Sequence, residues 1–375
     1  MFGVLWSNLN EAYGTLAPSS GLDYGLATIQ DWLIQFRFYS LLGSLFGIGF
    51  AMQLTRAEQR GVDVRPMFYR RMAALLGIGI VHGMLVWGSD VLTEYALIGF
   101  ILVMFRRLPP RWLLVAAAAN LILVPYVISV SLGHLGIQFG PAPQNDGPVF
   151  GHGSFLQIVR QVERDYLYWY RRWPLFVFPS FLSLFLLGLW AVRVDLLKRL
   201  IARRTSLVWI LVAAIAGTLL GGYLVVHLPR WWPLPKSSAI LGSPLFYLRP
   251  WREVLFGLAE RLQVWSNASV YAAALALLVS IPAGAKRLQP LAAVGRMALT
   301  TYLTQSLISV ALFYHYGLGW YGQVGYRGMF AITAVVFAFQ IAYSTWWLRR
   351  FRFGPMEWLW RSMAYGRRQP MIRAT

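Results

Sequence analysis

Apolar residues along this chain fall into runs of roughly 20, about the length of helix needed to cross a hydrocarbon layer ~30 Å thick. Short stretches rich in Arg, Lys, Gly and Pro separate them. A segment inside a bilayer must satisfy its own backbone groups, which makes each run a helix. The pattern predicts spans over 36–54, 72–88, 91–105, 112–132, 173–191, 207–228, 255–282, 290–317 and 329–348. The start, MFGVLWSNL, is equally apolar. At about 1.5 Å per residue it reaches only about halfway across. It therefore reads as half of a tenth helix, and a native start further upstream, with a basic flank, is the expectation. The predicted fold is all-α: a polytopic membrane bundle of about ten helices over 1–348, then a basic, aromatic tail over 349–375.

Composition agrees with this class. Of 375 residues 58% are hydrophobic and 13% charged, against about 25% charged in ordinary soluble domains. A net charge of +20 would suggest nucleic acid in a soluble chain, but here Lys and Arg sit in short loops between apolar runs. Nucleic acid is thereby set aside as a partner, and the charge becomes a topology signal. With loops assigned alternately, roughly two-thirds of the 34 Lys and Arg fall on the side of the tail. That bias predicts the bacterial cytoplasmic membrane, both termini in the cytoplasm, and the loops 133–172 and 229–254 outside. There is no cysteine, which excludes disulfides, thiolate metal sites and cysteine nucleophiles. No metal is expected.

The outer loops differ in kind from the inner ones. Gly136 to Gly153 is turn-rich, and QIVRQVERDYLYWYRRW after it mixes charge with aromatics as an interfacial helix does. The two outer loops together are expected to form a lid or a vestibule over an outer opening. Tryptophans near the rims, including Trp87, Trp112, Trp320, Trp346 and Trp347, read as interfacial anchors. Gly43-Ser-Leu-Phe-Gly47 and Gly217-Thr-Leu-Leu-Gly221 are small-xxx-small patterns that let helices approach closely. The tail, with Glu357 its only acid, reads as an amphipathic segment on the anionic inner leaflet.

Candidate chemistry lies between Met72 and Phe105, where His82, Asp90 and Glu94 interrupt apolar sequence. Titratable groups are costly in a bilayer and mark functional sites by default. His82 and Glu94 fall within one helical turn of each other in depth. An imidazole beside a carboxylate can act as general base toward a hydroxyl, the acid orienting the ring and stabilising the imidazolium. The structural alternative is that Asp90 caps the following helix, that Glu94 answers its dipole and that His82 hydrogen-bonds across helices. A second polar group, Thr300, Thr301, Thr304, Gln305 and Ser306, follows Arg296. Arg296 and Thr300, like Thr301 and Gln305, are spaced to share one helix face. Arg37 at an outer helix end either pairs with a carboxylate or snorkels. His134, His152, His227 and His315 read as interfacial. No P-loop, Rossmann fingerprint, HExxH or Gly-x-Ser-x-Gly elbow is present.

The stretches FYSLLGSLFGIGFAMQLTRAEQRG, RRMAALLGIGIVHGMLVWGSDVLTEYALIGFILVMFRRLPPR, GRMALTTYLTQSLISVALFYHYGLG and WLRRFRFGPMEWLWRSMAYGRRQP closely resemble the YeiB-like family of bacterial membrane proteins. The match runs from about Phe36 to Arg368. That family is similar in architecture to transmembrane acyltransferases such as heparan-alpha-glucosaminide N-acetyltransferase. The resemblance implies transfer of an acyl group, acetyl first among them, from a cytosolic thioester such as acetyl-CoA to an extracytoplasmic glycan or lipid. His82, Asp90 and Glu94 are then the catalytic candidates. Arg37, Arg296, Thr301, Gln305 and Asn8 are the candidates for binding substrate or acyl-CoA, and membrane lipids are the surrounding partners. This chain departs from the family pattern in three places. It lacks the Leu-Arg-Gly-Phe stretch ahead of Phe2 to Asn8, it has Thr301 where Asn is common, and residues 9–35 hold no His like that of the animal acetyltransferases. The alternative is a transporter or flippase for a small amphipathic or lipid-linked molecule, although no repeat relates the two halves. A non-catalytic membrane partner would hold no buried ligand.

Overall fold

The computed structural model describes residues 1–35, 37–59, 63, 65–134, 147–176, 178–231 and 252–373. Helices α1 (Phe2–Ala12) and α2 (Gly21–Ile29) lead into a π-helical turn, Gln30–Ile34, and then α3 (Arg37–Gln59). There follow α4 (Arg65–Leu85), α5 (Leu92–Leu102) with a 3-10 turn at Val103–Arg107, α6 (Pro110–His134), α7 (Gly147–His152) and α8 (Phe155–Phe176). Next are α9 (Phe178–Arg193), α10 (Leu196–Ala202), α11 (Arg204–Trp231), α12 (Arg252–Val279) and α13 (Pro282–Arg287). The chain closes with α14 (Gln289–Arg296), α15 (Ala298–Phe313), α16 (Tyr326–Arg350) and α17 (Pro355–Tyr365). Among the described residues there is no strand, only isolated bridges between Leu16 and Gly325 and between Phe351 and Ile372.

By length and apolarity four segments qualify as spans: Gly21–Arg56, Arg204–Leu228, Leu255–Val279 and Tyr326–Arg350. Taken as one broken span, the pair α9 and α10, bent by 63°, makes a fifth; Asp195 turns the chain there with a positive φ of 50°. Of the remaining predicted spans, 112–132 coincides with the 25-residue α6, 72–88 with α4, which carries Arg65, Arg70 and Arg71, and 91–105 and 290–317 with shorter helices. The run 290–317 is divided because the chain breaks at Met297 between α14 and α15. Arg296 and Thr300 consequently do not share a helix face, and Arg296 is exposed at the end of α14.

Polarity is inverted relative to a soluble protein. Val335 and Phe339 on α16 and Trp209 and Leu219 on α11 are 69%, 61%, 69% and 68% exposed, while His82, Asp90, Glu94, Gln305 and Gln340 are buried. Such a surface suits lipid and such an interior suits function.

Two glycines set the crossing of α3 and α9. A Cβ on Gly47 would lie 2.7 Å from Phe185 Cα, and one on Gly188 would lie 2.8 Å from the Gly47 carbonyl carbon, so α3 and α9 touch backbone to backbone. On α11, Gly221 lies against the backbone of Gln263 of α12 and Gly217 makes room for the Ser266 side chain. The π-helical turn leaves carbonyls without helical partners. Asn267 Nδ2 donates to Trp32 O at 3.3 Å and Tyr271 Oη to Leu33 O at 2.6 Å, so α12 satisfies them.

One face of the tail helix packs on the bundle. Trp360 of α17 is buried in the main core with Phe68, Met72 and Leu299, and its Nε1 donates to Arg71 O at 2.7 Å. Trp87 differs from an interfacial anchor: it is 7% exposed and packs on Tyr13 with ring centroids 5.3 Å apart. Trp112 and Trp346 remain exposed, as anchors are. The loop 229–254 lies outside the described residues except at its ends, as does most of the turn-rich stretch from Gly136 to Gly153.

Candidate active site

Helix α4 ends at Leu85 and α5 begins at Leu92, and the turn between them folds Asp90 back onto His82. Asp90 Oδ1 lies 2.8 Å from His82 Nδ1, with the two side chains 0% and 4% exposed. The other carboxylate oxygen, Oδ2, accepts the Thr93 amide at 2.8 Å. Asp90 thus serves both readings at once: it satisfies one orphan amide at the start of α5 and holds the imidazole. The approach is possible because α4 has no side chain where α5 meets it. A Cβ on Gly79 would lie 2.5 Å from Thr93 N and 3.0 Å from Asp90 Oδ2.

Three tyrosines enclose the pair. From α15, Tyr302 reaches Asp90 Oδ1 at 3.5 Å and sets its ring 5.3 Å from the His82 ring. From α8, Tyr170 Oη donates to Asp90 O at 2.6 Å, and Tyr166 Oη meets Thr93 Oγ1 at 3.1 Å. Helix α8 is the charged, aromatic segment expected as an interfacial lid, and it lies across the α4–α5 turn with Ile158, Gln161, Val162 and Tyr166 buried. Gly83 and Gly88 admit it, since a Cβ on either would collide with Tyr166 or Asp165. Glu94, 3% exposed in the first turn of α5, joins Asp90 as a charged neighbour of Tyr170. His82 Nε2 has no hydrogen-bond partner. Beside Tyr302, an apolar crevice lined by Leu42, Phe46, Val91, Tyr95 and Leu299 has room for about one water molecule.

The remaining candidates are distributed elsewhere. Gln305 Nε2 donates to Gln340 Oε1 of α16 at 2.8 Å, and Gln340 Nε2 donates to Thr301 O at 3.1 Å. The polar stripe of α15 therefore faces α16, while Tyr302 between its members faces His82. Thr300 belongs to the tail contact: Glu357 accepts from Leu299 N at 2.7 Å, Thr300 N at 3.1 Å and Thr300 Oγ1 at 2.6 Å. Asn8 Oδ1 accepts from Tyr39 Oη. Arg37 is 5% exposed, donates through Nη1 to Gln35 O at 2.6 Å, and has Asp31, Glu260 and Tyr271 as its neighbours. It occupies a separate neighbourhood from the His82 pair. His152 and His315 are exposed and 6.3 Å apart ring to ring. Among the described residues no cluster of three metal-ligating side chains occurs.

Three of the enclosing residues, Tyr166, Tyr170 and Tyr302, were not singled out from the sequence. The spacing of Tyr166 and Tyr170, four apart on one helix face, was the available signal.

An all-helical bundle with apolar outer faces and a buried His–Asp pair defines a polytopic membrane protein. The chain belongs to the DUF418 family, whose model, described as a protein of unknown function, matches residues 191–367. It is 33% identical to the uncharacterized protein YxaH of Bacillus subtilis over 95% of this chain and 86% of that one. It is also 27% identical to the uncharacterized protein YeiB of Escherichia coli, covering 98% and 91% of the two chains. A 39.9 kDa protein of Bacillus acidopullulyticus, from an amylase 3′ region, is 24% identical over 91% of this chain and 83% of its own. No solved structure matches.

Proposed function

We propose that this protein is a membrane acyltransferase that moves an acyl group, acetyl first among them, from a cytosolic thioester to a hydroxyl or amine of an extracytoplasmic glycan or lipid. One observation carries the reading: Asp90 engages His82 Nδ1 at 2.8 Å while Nε2, buried, has no partner. A carboxylate on Nδ1 fixes the tautomer that leaves Nε2 a lone pair, and it stabilises the imidazolium formed when Nε2 takes a proton. In the proposed reaction Nε2 accepts the proton of the acceptor hydroxyl as its oxygen bonds to the acyl carbon. The carbon–sulfur bond then breaks and the proton passes to the departing sulfur, leaving a thiol. Tyr302 and Tyr170 hold Asp90 in place, and Glu94 adds a second carboxylate to the same pocket. Helix α8 closes the pair from the outer side, so acceptor access requires its displacement.

The same reading carries a topology in which α1, α3, α4, α5, α6, α9, α11, α12, α15 and α16 cross the bacterial cytoplasmic membrane with both termini inside. Arg296, exposed at the basic end, then faces the donor. Radiolabelled acetyl-CoA supplied to purified protein in nanodiscs, with a membrane glycolipid extract as acceptor, tests it. Label is expected in the acceptor fraction and is expected to be lost with His82→Gln. Absence of transfer together with His82-dependent proton-coupled uptake in proteoliposomes would overturn the transferase in favour of a carrier.

A further inference from the structure

The mouth of the bundle where α4 begins holds a second unexplained charge. Arg71 is 7% exposed, its guanidinium lies 4.1 Å from the Trp360 ring centroid, and its Nε has no hydrogen-bond partner. A guanidinium offers five donors and cannot shed its charge, so burial without an acceptor leaves it incomplete. The ionisable groups that act on it are Arg361 and Tyr365 of α17, and neither is an acid. Arg361 is half-buried and lies over Phe353 at 4.5 Å. Among the described residues no carboxylate lies within ion-pair distance of either arginine.

The missing acids are accounted for. Helix α4 contains none. Arg65, six residues earlier, is paired with Asp63 at 2.9 Å and holds that carboxyl down to about 2 through its hydrogen bonds. On α17, Glu357 is one turn from Arg361 and well spaced to pair with it, yet its carboxylate is turned into the first turn of α15. Two guanidiniums that act on each other are therefore each stacked on an aromatic ring, Arg71 on Trp360 and Arg361 on Phe353, with the local acids committed elsewhere. A second cation nearby disfavours the charged form of the first, and a shared anion relieves that cost.

We infer that Arg71 and Arg361 form a phosphate-binding site at the basic end of the bundle. Arginine forks match phosphate oxygens in pairs, Tyr365 is 40% exposed, and Trp360 and Phe353 back the two guanidiniums. The phosphate has two sources, the CoA portion of the donor or the headgroup of an anionic phospholipid. The first rests on the transferase reading above. His82 lies 11 residues beyond Arg71 on α4, roughly 16 Å along the axis, and an extended pantetheine arm bridges a gap of that order.

Binding of CoA, 3′-dephospho-CoA and inorganic diphosphate to the full-length protein, measured by calorimetry in phosphatidylcholine nanodiscs, tests the site. Thermal unfolding in nanodiscs with and without phosphatidylglycerol supplies the lipid arm. If the donor is the source, CoA and diphosphate compete, and Arg361→Gln weakens both by about tenfold to hundredfold, the loss of one charge-assisted contact. If the lipid is the source, phosphatidylglycerol raises the midpoint of the wild type and not of Arg361→Gln, while CoA does not bind. Arg71→Lys, which keeps charge and loses the fork, should fall between wild type and Arg361→Gln. His82→Gln should bind phosphate unchanged, so failure of the transferase reading leaves this result standing. Diphosphate, CoA and lipid all without effect, or effects equal in wild type and Arg361→Gln, would overturn the site.

Discussion

The α11–α12 hairpin and the α4–α5 hairpin both bury polar side chains in apolar surroundings, and they use them differently. On α12, Asn267 and Tyr271 give their hydrogen bonds to the carbonyls of Trp32 and Leu33, which the π-helical turn had left open. Those side chains repair a backbone. In the α4–α5 hairpin Asp90 repairs a backbone too, at Thr93 N, but its second oxygen goes to His82, whose other nitrogen remains free. In a bilayer an unused donor or acceptor is costly and persists where something beyond stability maintains it. In the α4–α5 hairpin the polar atom left over after the backbone has been served is His82 Nε2, the atom on which the proposed transfer rests.

Asp90→Asn separates the two uses most sharply. The amide oxygen still accepts from Thr93 N, so the thermal midpoint should change little, while transfer should drop about 10²–10⁴-fold for want of a carboxylate behind the imidazole. Equal losses of stability and activity would make Asp90 a cap and nothing more. Next in size is Gly79→Ala, which drives a methyl against the Thr93 amide and should cost about 1–3 kcal/mol by thermal unfolding in detergent. Gly77→Ala two residues away meets no atom within 4 Å and should change stability by at most ~1 kcal/mol. Glu357→Ala removes the acceptor of three α15 donors and should cost about 0.5–2 kcal/mol. Gln340→Leu breaks the α15–α16 polar contact for roughly 0.6–1.7 kcal/mol, with transfer unaffected if that contact is structural. Loss of transfer in this last variant would return Thr301 and Gln305 to the site.

Much of this was legible before any coordinates. The runs of apolar residues locate most helices, and the closeness of His82 to Asp90 follows from a titratable pair on either side of a short turn. The i, i+4 spacing of Thr301 and Gln305 correctly gives them one face, but spacing says nothing about which helix that face meets. It meets Gln340, 35 residues on from Gln305. The break at Met297 and the π-helical turn at Gln30–Ile34 leave no clear periodic signature, since both are set by tertiary contacts. Tyr302, Tyr166 and Tyr170 were hidden by abundance: aromatics are 16% of the chain, and only the fold tells a ring at the site from a ring at the interface.

The contact between Glu357 and the start of α15 also fixes an order of events. Thr300 and Glu357 are 57 residues apart, which at about 5–20 residues per second is roughly 3–11 s of synthesis. During that interval α15 is already made, its first amides are uncapped, and Tyr302 has no fixed register against Asp90. The helix that supplies the cap follows, in chain order, every helix that lines the pocket. Closure of Tyr302 over the buried pair is accordingly a later event than the pairing of His82 with Asp90, completed only when α17 leaves the ribosome and docks, so that a chain cut short at Arg350 would hold every helix of the pocket and still lack the clasp that sets α15.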